Sequence, residues 1–344
     1  GPNHFGFDHS YGSLAGGVAP YNHHYKKGPY SSTWHRNQKL FTEKGHVTDL
    51  LTDEAVQWIK NQTTPTATRP FFLYLPYTAV HLPIREPEEW MNQVPTDIKG
   101  EVPRQYAACI MHFDAVVGRI VEAIDQAGQR DNTLIVFTSD NGGLSAHTRE
   151  KPHHRHNHPL SSGKGSALEG GTRIPLMVRW PGVVEAGRRT DLPVISHDHF
   201  PTLLEVAGVE GPQDHMTRVE GWNLLPIFRD DGRGTETGGL LEGWGERVLC
   251  WHMPHFWGPR GPGIQPFSSI RRGPWKMIYY YHPEPKRVLY HLGRDLGESR
   301  DLADQQEKIL EDLSEELARH LRETGASLPS VNGQTIPLPD ELKQ

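Results

Sequence analysis

Residues 131–182, DNTLIVFTSDNGGLSAHTREKPHHRHNHPLSSGKGSALEGGTRIPLMVRWPG, constrain the chain more than any other stretch. The apolar, β-branched run at 133–138 reads as a short core strand, and it stops abruptly at Ser139-Asp140-Asn141-Gly142-Gly143. A carboxylate and an amide oxygen therefore sit together where a strand meets a glycine turn. Ligands of open α/β sheets bind outside the carboxyl ends of strands, and hard cations such as Ca²⁺ and Mg²⁺ take oxygen donors of these two kinds. Asp-Asn-Gly-Gly taken alone is also an ordinary turn. Downstream stand Gly163-Lys164-Gly165-Ser166, a compact cation between glycines, then Glu169-Gly170-Gly171-Thr172-Arg173-Ile174-Pro175 and a second strand at 176–180. With that lysine nearby, Asp140 and Asn141 are expected to be metal ligands. Lys164 fails the phosphate-loop pattern, because His158 and Gly165 occupy positions that need Gly and Ser or Thr. As a point charge it would neutralise an ester oxygen. Glu169 and Arg173 are expected to brace this loop. A metal and a lysine between two strands suit an enzyme acting on a sulfate or phosphate ester.

Taken in order, SDNGG, a loop and PLSSGKGSALEGGTRIPLMVRWPG resemble the core of the sulfatases, within the alkaline-phosphatase-like superfamily. Further stretches match that family in the same order from about residue 5 to 328: GFDHSYG, His81 in H-x-P, DHFPTLLEVAG at 198–208, G-x-x-L-x-P at 221–226, S-I-R-x-G-x-W-K and L-Y-x-L-x-x-D-x-x-E. The resemblance implies an α/β fold, an alkaline-phosphatase-like sandwich with a central mixed sheet flanked by helices. A small C-terminal α+β subdomain with a four-stranded antiparallel sheet would follow. It also implies that His81 and Lys164 contact the sulfate, and that Ca²⁺, or Mg²⁺, is the metal at Asp140 and Asn141.

The rest of the chain fits an enzyme of this size. Its 344 residues allow one large and one small domain, here 1–240 as the catalytic domain and 241–344 as the antiparallel-sheet subdomain, with a Gly-rich linker at 229–239. Asp230-Asp231 lies in that linker with no strand before it, so it is not read as the family's paired metal aspartates. The net charge of −6 gives no basic surface for nucleic acid. No apolar run reaches the roughly 18–20 residues of a bilayer span. Two cysteines, Cys109 and Cys250, do not make a disulfide framework. Localisation to the periplasm or outside, or the lysosome of a eukaryote, rests on the family resemblance alone.

Residues 1–30 read as loop, with His4, His9, His23 and His24 solvated. An amphipathic helix is expected at 48–61, capped by Thr48 or Asp49, a core strand at 71–77 emptying towards His81, and a long helix at 106–128 in which Asp114 and His112 are structural. His81 at a strand end can be a donor or acid, or a hydrogen-bonded loop residue. The tract His153, His154, His156, His158 has no recognised zinc spacing and reads as a rim loop, with His147 and His158 as substrate contacts. Asp198 is expected to cap a helix ending at Gly208. Strands are expected at 248–251, 268–272, 275–281 and 287–292, and a helix at 306–323. After the first of these strands, His252, His255, Trp251 and Trp257 suit either a sugar ring or ordinary packing, and His252 is expected to touch substrate.

The family's nucleophile is a formylglycine made from Cys or Ser in C/S-x-P/A-x-R. Neither cysteine nor any serine of this chain fits that pattern, and the family's paired aspartates and K-x-x-H segment are missing too. About a hundred residues normally carry them, roughly a domain's first third. The chain is therefore expected to be a sulfatase without its N-terminal part, inactive alone, whose parent cleaves carbohydrate or aryl sulfate esters. The alternatives are a non-catalytic remnant that only binds, and a two-zinc phosphatase or phosphodiesterase, which Asp140-Asn141 followed by Lys164 disfavours.

Overall fold

A computed structural model describes residues 1–28, 30–63, 69–144, 157–229, 241–257, 261–331 and 333–342. Two compact units divide the chain, Gly1–Thr133 and Leu134–Gln344. The expected linker at 229–239, Arg229 apart, and Asp230-Asp231 lie outside the described residues, as do His147, His153, His154 and His156.

In the first unit, strands β1 (Tyr11–Ser13), β2 (Trp34–Arg36) and β3 (Lys39–Leu40) form an antiparallel meander. The helices are α1 (Val47–Gln62), α2 (Glu88–Gln93) and α3 (Glu101–Gln126). α1 buries Leu51, Thr52, Ala55 and Ile59, a stripe at three- and four-residue spacing that faces α3. Its cap is His46, whose Nδ1 accepts from the Thr48 amide at 3.4 Å, two residues before the first expected cap. α3 begins five residues earlier than its apolar period suggests, because Glu101 and Pro103 suit a first turn. It stops just before Gly128, whose φ of 70° favours glycine. Val18, Trp34, Val47 and Leu51 form the small core.

Three expectations for this unit need correcting. His23 is buried, not solvated: it stacks on Trp34 with ring centroids 4.4 Å apart, and its Nε2 lies 3.1 Å from the Gly45 carbonyl. His9 lies 2.9 Å from Glu54. The segment 71–77 alternates in burial like a strand, yet it pairs with no ladder partner among the described residues, and Phe72 and Tyr74 face solvent. An alternating pattern specifies a strand-like surface, but a strand also needs neighbouring main chain to bond.

In the second unit, β4 (Ile135–Thr138) pairs antiparallel with β5 (Leu176–Arg179), Ile135 opposite Arg179 and Thr138 opposite Leu176. Between them α4 (Glu169–Thr172) is a single turn. α5 (His199–Ala207), α6 (Gln213–Met216) and α7 (Leu225–Arg229) follow, and α7 contributes Leu225, Ile227 and Phe228 to a core shared with Val178, Leu134 and Trp180. Asp198 precedes α5 but does not cap it by a side-chain bond. Its carboxylate is taken by the Ile195 and Trp222 amides, both at 2.8 Å, and by a bidentate Arg247 at 2.8 and 3.0 Å. A buried guanidinium fork competes for those oxygens better than a helix end does.

Strands β6 (Val248–Met253), β7 (Phe267–Arg272), β8 (Trp275–Tyr280) and β9 (Lys286–His291) make the four-stranded antiparallel sheet in sequence order. Both its faces are covered, which explains the nearly unbroken apolar run of β8. Met277 and Tyr279 face α8 (Glu307–Glu323) through Leu310, Leu313, Leu317 and Leu321. Each such leucine stabilises the unit by about 1.5–3 kcal/mol. Ile278 and Tyr280, one residue out of phase, face Ala167 and Leu168. Beyond α8, β10 (Ser330–Val331) and β11 (Gln334–Thr335) form a short hairpin. The sheet thus supports, on its second face, the segment that carries Lys164.

Candidate active site

β4 delivers Asp140 and Asn141 at its carboxyl end, with Asp140 exposed and Asn141 half-buried. The following turn is fixed by backbone bonds that need glycine. Gly142 N–H donates to Gly171 O at 3.0 Å, and a Cβ at Gly142 would stand 1.8 Å from Gly170 O. The Asn157 side-chain amide donates to Gly143 O at 2.7 Å and to Ser162 O at 2.9 Å, stitching the turn to the loop 157–166. Lys164 N–H donates to Gly143 O at 3.1 Å. One carbonyl therefore receives both Asn157 and Lys164, and the lysine is held beside the turn that carries Asp140 and Asn141.

The lysine head meets an aromatic face: Nζ lies 5.6 Å from the centroid of Trp257, within cation–π range. The same indole leaves no room for a side chain at Gly165, where a Cβ would fall 2.3 Å from Trp257 Cε3. Among the described residues, neither the Asp140 carboxylate, the Asn141 amide nor Lys164 Nζ takes a side-chain hydrogen bond or ion pair. Two hard oxygen donors at one strand end fit part of the six-to-eight-oxygen shell of Ca²⁺.

Behind this front, a buried ionic triad braces the loop. Lys276, wholly buried in β8, places Nζ 2.8 Å from Glu169 Oε1 and 2.9 Å from Glu298 Oε1. The second pairing is a close ion pair, not an aligned hydrogen bond. Burial pushes the Glu298 carboxyl above its ordinary value, with Lys276 pulling it back. Arg173 Nη1 lies 3.8 Å from Glu169 Oε2. Glu169 thus braces the loop as expected, but through Lys276, a residue that sequence reading assigned only to the strand.

The other expected site residues fall in different places. His81 belongs to the first unit, exposed, with Nδ1 2.5 Å from Leu82 O and its ring packed where Gly17 leaves room for it. His158 is exposed and adjoins Asn157. His252 has both ring nitrogens engaged, Nδ1 with Ser268 Oγ at 2.7 Å and Nε2 with Ser327 O at 3.0 Å. Trp251 packs against the Ile278 face of the sheet, so for this residue the packing alternative holds. Asn157 and Lys276 are the supporting residues that sequence reading missed; Trp257, expected against a sugar ring or in ordinary packing, lies instead over Lys164.

A family model described as Sulfatase matches residues 1–209, and one described as N-sulphoglucosamine sulphohydrolase, C-terminal, matches 164–326. A sulfatase of Formosa agariphila is 30% identical over 272 residues, 75% of this chain and 46% of that protein. The N-acetylgalactosamine-6-sulfatase of Homo sapiens is 28% identical over 320 residues, 86% of this chain and 58% of the relative. Among solved structures, Ps i-CgsB in complex with k-i-k-neocarrahexaose superposes with a TM-score of 0.75 at 30% identity, covering 93% of this chain and 67% of that one. The chain spans about half the length of the first curated relatives it matches, 46% and 38%. These likenesses give the fold as α/β of the alkaline-phosphatase-like kind. No helix among the described residues is long and apolar enough to cross a membrane.

Proposed function

The chain belongs to the sulfatase family, and on that premise we propose that its parent protein hydrolyses sulfate monoesters of carbohydrates, using Asp140, Asn141, Lys164 and His81. The observation that carries this reading is the bond from Lys164 N–H to Gly143 O, which holds a cation beside a pair of hard oxygen donors. The sugar preference is supported by what similar proteins are named for: N-acetylgalactosamine-6-sulfatase and a complex with neocarrahexaose.

Asp140 and Asn141 would hold Ca²⁺, or Mg²⁺ in its place. When bound, that ion supplies charge withdrawal at a sulfate oxygen, and a formylglycine outside these 344 residues supplies the nucleophile. This chain's own residues do the remaining work. Lys164 orients the sulfate and offsets the negative charge that grows on the ester oxygen. Trp257 confines the lysine head to one side and shields it from water, which strengthens its field. His81, in the first unit, enters this reading through the family resemblance alone. Since no Cys or Ser here fits C/S-x-P/A-x-R, the 344 residues alone should release no sulfate. A net charge of −6 gives no basic footprint for nucleic acid.

The test is metal content together with turnover in the intact parent protein, with a sulfated galactan oligosaccharide as substrate. The expected result is calcium that is lost in Asp140→Ala, and sulfate release that chelation stops and calcium restores. Two zinc ions lost in Asp140→Ala, with release of phosphate from phosphate esters in place of sulfate, would overturn the reading.

A further inference from the structure

A second cluster of ligand-type side chains lies in the first unit, and the proposed chemistry does not use it. His46, Glu86 and His112 come from three separate places: the cap of α1, the loop before α2 and the middle of α3. One donor atom from each lies within 4.8 Å of the others. Their side chains are 4%, 3% and 1% exposed, so water is nearly excluded. Glu86 Oε2 is 2.7 Å from His112 Nδ1, and Glu86 Oε1 is 3.8 Å from His46 Nε2. Those two spacings bracket the about 3.3 Å that separates neighbouring donors on a tetrahedral ion with bonds near 2.0–2.1 Å.

His46 Nε2 is the unexplained atom. It is buried and makes no well-aligned hydrogen bond, although the Arg85 main chain lies near enough to the ring to favour its charged form, in a fold where buried polar atoms nearly always have a partner. Its ring is clamped by Tyr21, edge-on at 5.2 Å, and its centroid lies 5.0 Å from that of His112. On the far side, His112 Nε2 sits 3.1 Å from Asp49 Oδ1. A ligating histidine usually passes its second ring N–H to a carboxylate, which fixes the tautomer and aims the first nitrogen at the ion. Trp90, stacked on His112 at 4.9 Å and 14°, locks the ring plane. Cys109 lies three residues before His112 on the same helix, buried and free, and burial together with the carboxylate of Glu86 holds its thiol above the usual value. It is a further protein donor at hand.

We propose that His46 Nε2, Glu86 and His112 Nδ1 form a buried structural site for a divalent transition ion of the Zn²⁺ type, with Asp49 as the carboxylate that orients His112. The donor set is nitrogen-rich and closed, unlike the open oxygen pair at Asp140 and Asn141, so the two sites call for different ions. Ligation at Nε2 moves the ring proton of His46 to Nδ1 and gives up the 3.4 Å bond from Thr48, which is already longer than the about 2.7–3.2 Å of a normal bond. Without an ion, His112 bridges Glu86 and Asp49 through its two ring nitrogens, at 2.7 and 3.1 Å.

The experiment strips the intact parent protein with chelator, returns excess calcium, and titrates zinc and then cobalt. Zinc per chain is read by mass spectrometry, and geometry by the visible cobalt bands. One zinc per chain is expected in the wild type and in Asp140→Ala, with tetrahedral cobalt absorption. His46→Gln should abolish that zinc, and Asp49→Asn should weaken it about 10–100-fold. His46→Gln leaves the Glu86–His112 pair intact, so its circular dichroism separates a lost ligand from a lost fold. No zinc in a folded wild type, or zinc that His46→Gln leaves in place, overturns the site and leaves an ion triad only. Zinc lost in Asp140→Ala but not in His46→Gln would assign the ion to the catalytic turn and overturn the proposal equally.

Discussion

Two buried polar knots, one in each unit, look alike in composition and differ in how completely their charges are met. In the second unit, Lys276 stands between Glu169 and Glu298, and each carboxylate has the ammonium within 2.9 Å. In the first, His112 stands between Glu86 and Asp49, but His46 beside it has its nearest carboxylate oxygen 3.8 Å away and no hydrogen bond at Nε2. The completed knot braces the loop carrying Lys164, and its role is structural. The incomplete knot has every ligand-type group in place and one valence over, which is why it points to an ion. Buried polar atoms nearly always find partners, so the orphaned Nε2 of His46 is informative where an exposed atom would not be.

The comparison can be broken first at its strong end. Lys276→Met leaves Glu298 buried without a cation and Glu169 with only the looser Arg173 contact, and should cost about 3–5 kcal/mol in urea denaturation. A loss under 1 kcal/mol would mean that the triad is not what holds the loop. Next comes the turn itself: Gly142→Ala forces a Cβ against Gly170 O, moves Asp140 and Lys164 apart, and should lower parent turnover about a hundredfold. Unchanged kinetics would detach the turn from catalysis. In metal-free protein, Glu86→Gln should cost less than Lys276→Met, about 1–3 kcal/mol, because a neutral amide still meets His112. Zinc at a hundredfold its Kd should then stabilise the wild type by about 2.7 kcal/mol and Glu86→Gln hardly at all. Equal stabilisation of both would erase the distinction between the two knots. The smallest effect is expected at the surface, where Glu54→Gln breaks the Arg36 pair at a cost of under about 1 kcal/mol in thermal melting.

What the sequence made legible follows the range over which each feature is encoded. The leucines of α8, the short strands β7 and β8 bounded by turn residues, and the strand-to-glycine turn at Asp140 are local patterns, and each element appears within a few residues of its expected place. Asp140, Asn141 and Lys164 were legible for the same reason, since one contiguous stretch holds both turn and loop. The supports were not. Lys276 meets Glu169 across 107 positions, and Glu86 meets His112 across 26. No window of either strand or helix shows that a lysine points inward or that a histidine cap has a partner on another helix. His112 reads as a packing or rim residue from its place on α3, and only the fold sets two carboxylates against it. The segment 71–77 shows the converse: its apolar run reads as a core strand, but pairing depends on main chain elsewhere, and Phe72 and Tyr74 face solvent.

The central claim is that Lys164, whose main-chain N–H is held by the Gly143 carbonyl, acts on a sulfate ester, and the direct measurement is sulfate release by the intact parent protein and its Lys164→Ala variant. The account predicts that the variant folds, keeps its calcium, and loses about 10²–10³-fold in kcat with a smaller change in KM. A variant that releases sulfate from the same oligosaccharide at the wild-type rate would contradict it.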